Sequence, residues 1–271
     1  MTSFDIVDKL LDIPEREYHA ASQCGKYISS HLLADFRRCP EFYHRKVTGE
    51  VAEKDTRAYT LGRAVHKLIL EGEAAFNEAY AVGNGPINPK TGSVFGRATK
   101  AYAEWEASQR KPVISTDEKA WLDTLRSAVH AHTEANKLLE QGRAEGVCRA
   151  EVEGLPCQIR IDWFSPERGI VDLKTSADLD WFEPDARRYG YVHQLAFYRM
   201  VLRQATGIEA PCSLLAVEKE EPTRVGVWRV NAETLDTAER TLRAALRRLT
   251  ECREIDYWPT GYEQPRYITN I

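Results

Sequence analysis

The chain has 271 residues, of which 43% are hydrophobic and 29% are charged, and 37 Lys and Arg against 41 Asp and Glu give a formal charge of −4. These values are close to globular averages and exclude a disordered or fibrous chain. A mildly acidic balance argues against a histone-like nucleic-acid coat, but it is compatible with a DNA-binding enzyme that has a local basic patch. The length predicts one large domain or two modest ones.

Signals for export or membrane insertion are not found in the sequence. No run approaches the roughly 18 apolar residues of a membrane span. The first residues, MTSFD, lack the basic and apolar regions of a signal peptide. The six cysteines are scattered and form no CxxC pair, so we expect reduced thiols in a cytoplasmic protein rather than disulfides or a zinc site.

The first half of the chain is predicted to be mainly helical, with irregular chain over 14–28. Capping residues, prolines and apolar spacing predict helices over 3–13, 29–39, 56–80, 97–110 and 116–141, with a break at Gly72 in the third. A turn or a further helix is predicted to begin at 41–43. Residues 83–96 contain four Gly and two Pro. They are predicted to form a loop of the length at which loops are often functional or mobile.

The second half is predicted to alternate between strands and helices. Its predicted elements, in chain order, are strands 147–153, 156–164 and 169–175, helix 184–204, strands 212–218 and 224–230, helix 232–252 and an irregular tail. This order predicts an α/β fold with a mixed (α+β) sheet. We expect a single domain, in which residues 1–146 form a helical layer and 147–271 form the sheet core.

A predicted hairpin brings two carboxylates together. If 166–169 forms its turn, Asp162 faces Asp172 with the Cβ atoms roughly 5 Å apart, which destabilises a sheet. A divalent cation between the two carboxylates reverses that effect. Lys174 points to the same face as Asp172, and two carboxylates with an ammonium suit metal-dependent phosphodiester hydrolysis. Carboxylate oxygens favour Mg²⁺ or Mn²⁺.

The same pattern also fits a surface hairpin with alternating charges. Two observations favour a site. The opposite face of the hairpin is apolar and is expected to cover a core, through Ile161, Trp163, Val171 and Leu173. The next helix carries Gln194 and Tyr198 four residues apart, on one helical face.

Asp162 followed by Asp172-Leu173-Lys174, with Gln194-x-x-x-Tyr198 downstream, resembles the PD-(D/E)XK nuclease superfamily. Three upstream stretches are similar to motifs of its RecB-like branch: 29–33, 39–43 and 62–66, the last resembling a G-x-x-x-H helix. The form IRIDW before VDLKT is similar to RecE-type and lambda-type phage recombination exonucleases. Lambda-type members tend to carry Glu where this chain has Asp172, so the resemblance favours the RecE type.

The resemblance implies a restriction-endonuclease-like core and a set of metal ligands. Asp162 and Asp172 would bind one or two Mg²⁺ ions, and the backbone carbonyl of Leu173 would assist them. His66 would be a further ligand as a neutral imidazole. Without the motif, His66 would instead be interpreted as a satisfied histidine on a half-buried helix.

The resemblance also assigns the remaining catalytic residues. Lys174 would be the catalytic lysine, acting with the carboxylates Asp162 and Asp172. Gln194 and Tyr198 would support the site and contact the DNA backbone.

Four more residues are candidates from position alone. Glu151 lies on the strand before Asp162 and either shares the active face and helps to hold a metal or is an edge-strand charge. Arg160 lies on the same face as Asp162 and either binds a phosphate or balances the carboxylates. Ser30 and Arg37 are candidate ligands of a terminal 5′-phosphate.

The resemblance implies a Mg²⁺-dependent exonuclease that digests the 5′-ended strand of linear duplex DNA. The 3′ overhang would serve a single-strand-annealing recombination protein of a phage or prophage in a bacterial cytoplasm. A ring-shaped homo-oligomer, expected to be a trimer, is also implied. The alternatives are a RecB-like nuclease of other polarity or of endonucleolytic action in DNA repair, and a nuclease-like module that only binds DNA or a partner. An iron–sulfur variant is not expected, because Cys212 and Cys252 do not belong to a cysteine cluster.

Overall fold

The computed structural model describes residues 10–51 and 56–267. Within them the helices are α1 (Glu15–Gln23), α2 (Ser30–Arg38), α3 (Pro40–Val47), α4 (Arg57–His66), α5 (Gly72–Ala79), α6 (Lys100–Ser108), α7 (Thr116–Ala131), α8 (Thr133–Leu138), α9 (Phe182–Tyr189), α10 (Tyr191–Thr206) and α11 (Ala232–Ile255). The strands are β1 (Ala81–Val82), β2 (Val113–Ile114), β3 (Arg143–Val152), β4 (Leu155–Ser165), β5 (Gly169–Ser176), β6 (Cys212–Glu218) and β7 (Val225–Val230). A π-helical turn (Lys67–Glu71) joins α4 to α5, and a 3₁₀ turn (Leu179–Trp181) precedes α9.

Strands β3 to β7 form one mixed sheet in chain order. Neighbouring strands are antiparallel except β5 and β6, which are parallel. A parallel pair needs a crossover connection, and α9 and α10 supply it. The short strands β1 and β2 form a separate parallel pair. The predicted α/β class with a mixed sheet is confirmed.

Helices cover both faces of the sheet. On one face, α2, α10 and α11 enclose an apolar core around residues such as Phe36, Phe197 and Leu246. On the other face, α4, α7 and α8 pack on Val171 and Leu173 of β5. Because side chains alternate along a strand, Asp172 and Lys174 project from the face opposite to Val171 and Leu173.

The capping signals begin their helices where the sequence predicts. The Ser29 side chain accepts a hydrogen bond from the Leu32 backbone N–H at 3.3 Å and begins α2. Pro40 opens α3, where its missing N–H costs nothing. Ser115 and Glu118 form a reciprocal capping box at the start of α7.

Two predicted helices are each divided in two. The stretch 116–141 breaks at His132, whose extended backbone ends α7 and whose side chain caps α8. The stretch 184–204 breaks at Gly190, which adopts the left-handed conformation with φ 74°. Helical periodicity continues across both breaks, so apolar spacing alone does not reveal them.

The N-terminal predictions were wrong where the structure describes them. Residues 14–28, expected to be irregular, contain α1, which buries only Tyr18 and Ser22 and therefore shows a weak apolar pattern. Most of the predicted helix 3–13 lies outside the described residues. Its end is not helical, because Leu11 forms a β-bridge with Val147.

The start of β3, the loop 83–96 and the tail after α11 can also be compared with the predicted elements. Strand β3 begins at Arg143, four residues earlier than expected. The predicted loop 83–96 is irregular apart from an Ile87–Val94 bridge, and Gly85 lies so close to the Tyr102 ring that a Cβ would be 2.8 Å from it. The tail after α11 contains no helix or strand as far as Tyr267, as expected. No helix among the described residues is both long and apolar enough to span a membrane.

Candidate active site

The β4–β5 hairpin has the predicted register near its turn. Phe164 pairs with Ile170 and Trp163 pairs with Val171, and the ladder ends there. Beyond this point the Asp162 carboxylate accepts a hydrogen bond from the Leu173 backbone N–H at 2.8 Å. The strands therefore separate where the two aspartates lie, and a side chain replaces a backbone acceptor.

Asp172 is a fully buried carboxylate. Its Oδ2 lies 2.5 Å from the Lys174 Nζ. The Lys174 ammonium thus pairs with one oxygen, whereas Oδ1 has no hydrogen-bond partner among the described residues. A buried charge is costly unless it is paired and fully hydrogen-bonded, so Oδ1 retains unused ligand capacity.

Lys174 is held by the downstream helix. Its ammonium donates to Gln194 Oε1 at 3.2 Å, and Gln194 Nε2 donates to the Tyr198 hydroxyl at 2.9 Å. Burial disfavours the ammonium, but the charges of Asp172 and Asp162 outweigh that effect and raise the pKa of Lys174. The predicted i, i+4 pair on α10 thus lies directly behind the lysine.

His66, Glu145 and Asp162 form a second group at the end of α4. Each offers a ligand atom, and these atoms lie within 4.8 Å of one another. The His66 Nδ1 is 3.5 Å from Asp162 Oδ2. Burial lowers the pKa of the His66 imidazole, which favours the neutral ring that a metal ligand requires.

The carboxylates of this group repel one another. Burial and the charge of Asp172 raise the pKa of Asp162. Burial and the charge of Asp162 raise the pKa of Glu145. Two carboxylates and a neutral imidazole, next to a buried aspartate whose Oδ1 is unpartnered among the described residues, fit a divalent cation such as Mg²⁺ or Mn²⁺ in both charge and ligand type.

Of the two interpretations of Glu151, the metal ligand is wrong and the edge-strand charge is confirmed, because β3 is an edge strand of the sheet. Glu151 is exposed and pairs with Pro156, six residues along β4 from Asp162 and therefore about 20 Å away. Ala150 and Val152 pack in the core on the face from which Asp172 projects, so Glu151 points to the opposite face and lies at the wrong end of β3. Extending the observed β3–β4 register places Glu145 opposite Asp162. Counting residue pairs outward from a two-residue turn at Glu153-Gly154 gives the same pair, so Glu145 could have been found from the sequence.

The remaining predicted neighbours need smaller corrections. Arg160 forms an ion pair with Glu145 and donates to the Ile13 carbonyl at 3.1 Å, so the charge-balancing interpretation describes its contacts. Ile161, expected on the same apolar face as Trp163, packs in the core on the other face of the sheet. The Leu173 side chain is buried as expected.

These groups line one cleft of about 650 Å³. Ser30 and Arg37 lie on its α2 wall, two turns apart on one helical face. His66, Asp162, Lys174, Gln194, Tyr198 and Arg160 also line it, together with Glu145. Asp172 lies beneath the cleft floor.

Comparison with known proteins relates this cleft to a family. The model of a PDDEXK-like domain of unknown function (DUF3799) matches residues 29–270. The curated proteins contain no match. A putative exonuclease from Eubacterium rectale superposes with a TM-score of 0.68 at 15% sequence identity, covering 96% of each chain. An alkaline exonuclease from Laribacter hongkongensis gives a TM-score of 0.35 at 13% identity, covering 89% of this chain and 96% of its own.

The first superposition shows that the fold is shared over nearly the whole chain. The TM-score of the second is too low to support any conclusion. The family match includes the hairpin, α4 and α10, which carry the motifs that resemble the PD-(D/E)XK superfamily. That resemblance is confirmed, and the chain belongs to the family of PDDEXK-like domains.

Proposed function

We propose that the protein is a divalent-metal-dependent deoxyribonuclease that digests the ends of linear duplex DNA. The observation that carries the proposal is that the buried carboxylates of the cleft have too few positively charged partners. Asp172 is buried beside Asp162, with Lys174 as the partner of one oxygen and no partner among the described residues for Oδ1. In an ion pair that only stabilises the fold, the two partners satisfy one another. In a site that binds a cation, ligand atoms stay unpaired until the cation is present.

The metal would be held by His66, Glu145 and Asp162, with Asp172 and the Leu173 carbonyl as further ligands. A bound divalent ion supplies positive charge that polarises the scissile phosphate and lowers the pKa of a coordinated water. The Arg160 guanidinium, which is paired with Glu145, lies next to this group and can balance the phosphate charge.

Lys174 acts as a fixed cation. Burial disfavours its charge, but in the metal-free cleft the charges of Asp172 and Asp162 raise its pKa, and as an ammonium it would stabilise the charge that develops on the phosphate and orient the attacking water by hydrogen bonding. Gln194 fixes the ammonium, and Tyr198 fixes Gln194. Burial raises the pKa of Tyr198 well above its ordinary value, so its hydroxyl remains protonated.

The α2 wall supports action at a strand end that carries a phosphate. Ser30 and Arg37 line the cleft about two turns apart, and a hydroxyl with a guanidinium is suited to a terminal phosphate. We propose that this pair binds the 5′-phosphate, so that the 5′-ended strand is digested and a 3′ overhang remains. Recombination in a phage or prophage, with an annealing protein as partner in the bacterial cytoplasm, is the corresponding proposal for its role.

End-labelled linear duplex, incubated with Mg²⁺ or with EDTA, tests the proposal. We expect digestion only with Mg²⁺, faster on 5′-phosphorylated than on 5′-hydroxyl ends, and no cutting of covalently closed circles. Asp162→Asn should abolish digestion, and Glu151→Gln, which alters the distant carboxylate on β3, should not. Digestion in EDTA, or equal digestion by Asp162→Asn, contradicts the proposal, and cutting of closed circles supports the endonucleolytic alternative instead.

We further propose a ring-shaped trimer that encloses DNA, on the basis of the family resemblance. Light scattering of the purified protein should then give three times the 30.9 kDa mass of one chain. A monomer at working concentration would remove the ring from the proposal without affecting the chemistry of the cleft.

A further inference from the structure

Two tyrosine rings lie on the cleft wall beside Lys174. Tyr189 ends α9, Tyr191 begins α10, and both line the cleft. Their ring centroids are 5.9 Å apart and the ring planes differ by 28°, so the rings stack. Tyr189 is 57% exposed, which leaves much of its ring open to the cleft. None of the catalytic roles proposed above uses this pair.

Gly190 explains why both rings reach the same wall. In a continuous helix, residues two positions apart project about 200° from each other and point to opposite sides. Gly190 has φ 74°, which ends α9 and lets α10 begin in a new direction. This left-handed conformation strains residues that have a side chain, so the sequence Tyr-Gly-Tyr is suited to placing the two rings together.

Positive groups lie over the two rings, and the exposed Arg188 side chain has to move aside for a base to stack on Tyr189. The Lys174 Nζ lies 4.8 Å from the Tyr191 ring centroid, and the Arg188 guanidinium lies 5.5 Å from that of Tyr189. A nucleotide joins a flat base to an anionic phosphate, and this wall offers flat rings between cations. Stacking of a nucleobase on an aromatic side chain stabilises binding by about 1–3 kcal/mol, whichever base is present.

We propose that Tyr189 and Tyr191 form a stacking platform for the nucleobase next to the phosphodiester that is cut. The inference rests on the proposed function, because the strand being digested supplies the base. A base inside a duplex already stacks on its neighbours, so it must leave the helix to reach Tyr189. The cleft therefore takes the strand end in single-stranded form and does not select for base identity.

Binding of a fluorescent single-stranded oligonucleotide in EDTA tests the platform. Tyr189→Ala should weaken binding about 5- to 150-fold, and Tyr189→Phe, which keeps the ring, should bind like the wild type. Tyr257→Ala is the matched control, because Tyr257 is 55% exposed and lies outside the cleft. Equal binding by Tyr189→Ala and the wild type overturns the inference.

An abasic scan tests the same pair without depending on one variant's stability. Substrates that lack the base at successive positions from the end are digested in Mg²⁺. We expect the wild type to slow at one position, and Tyr189→Ala to show no further loss there, because ring and base act as a pair. Slowing at no position, or additive losses, overturns the platform but leaves the proposed nuclease intact. A wild type that cleaves no DNA overturns both.

Discussion

Helix α10 contributes side chains to two groups of charges that differ in how completely their acids are paired. Towards α11, the buried guanidinium of Arg199 forms ion pairs with Glu209 at 2.9 Å, with Asp236 and with Glu239. Arg203 and Arg243 also pair with Glu239, so that every acid in this network has a guanidinium partner, although the Arg199 Nε–H has no acceptor among the described residues. Towards the cleft, the Lys174 ammonium pairs with Asp172 Oδ2, and Asp172 Oδ1 has no hydrogen-bond partner among the described residues.

This difference distinguishes an ion-pair network that stabilises the fold from a cluster of carboxylates that is suited to bind a cation. A buried ionic network is tolerated when its partners satisfy one another, and it then contributes to the unique packing of the chain. The cleft leaves carboxylates close together with ligand capacity unused, which costs stability in the absence of a cation. Each of the following changes acts on one side of this comparison, in order of expected effect.

Replacing Lys174 should have the largest effect, and it should be on catalysis. Lys174→Ala removes the fixed cation, and we expect the rate of DNA digestion to fall about 10²- to 10⁴-fold while DNA binding persists. Lys174→Arg keeps the charge but not the geometry and should remain strongly impaired. Circular dichroism controls for folding, and normal digestion by a folded Lys174→Ala protein would remove the lysine from the mechanism.

Breaking the network at Arg199 should affect stability instead. Arg199→Ala removes a buried guanidinium with its packed stem and weakens the pairing of the buried Glu239, which keeps Arg203 and Arg243, so we expect a loss of about 2–3 kcal/mol in the free energy of unfolding. Arg247→Ala, at a 56% exposed residue paired with Glu153, should lose less than about 1 kcal/mol. Urea unfolding measures both, and digestion by the folded fraction should be unchanged. A tolerated Arg199→Ala would mean that the network does not stabilise the fold.

The contribution of the Glu118 carboxylate to stability should depend on pH. Burial opposes its ionisation, but hydrogen bonds from Arg57 and the Ser115 backbone lower its pKa to about 2. Because this folded-state pKa is below the ordinary value of 4.5, the stabilisation is complete above pH 4.5 and is lost as the pH falls towards 2. Because solvent screens these partly exposed ion pairs, Glu118→Gln should cost about 1–2 kcal/mol at pH 7 and much less near pH 3. A constant difference between urea midpoints at the two pH values would contradict the assignment.

Removing a charge from the cleft should have a smaller effect of the opposite sign. Asp162→Asn relieves repulsion by Asp172, and in EDTA at pH 8 we expect the unfolding midpoint to rise, by about 1 kcal/mol in free energy. The same variant should lose digestion. A lower midpoint than that of the wild type would show that the metal-free cleft is not strained by its carboxylates.

Sequence reasoning predicted the part of the site that depends on local spacing. The Trp163–Val171 register follows from one short turn, and Gln194 and Tyr198 follow from helical periodicity. The approach of His66 to Asp162 joins residues far apart in the chain, and the family motif suggested it where spacing could not.

Other parts of the fold and site depend on features that apolar spacing does not carry. Glu145 was missed because the register across β3 and β4 was not followed, and Glu151, at the other end of β3, was considered instead. Helix α1 was missed because it buries few residues. The Tyr189–Tyr191 pair depends on a left-handed Gly190 inside an apparently continuous helix.

The most direct test of the account is the effect of a divalent ion on stability in the absence of DNA. Thermal unfolding of the wild type, Asp162→Asn and Glu151→Gln is followed in EDTA and in excess Mg²⁺ or Mn²⁺. An ion at about 100 times its Kd stabilises the folded state by about 2.7 kcal/mol. The wild type and Glu151→Gln should therefore melt several degrees higher with the ion, and Asp162→Asn should not. No shift in the wild type, or an equal shift in Asp162→Asn, would contradict the claim that a cation completes the cleft.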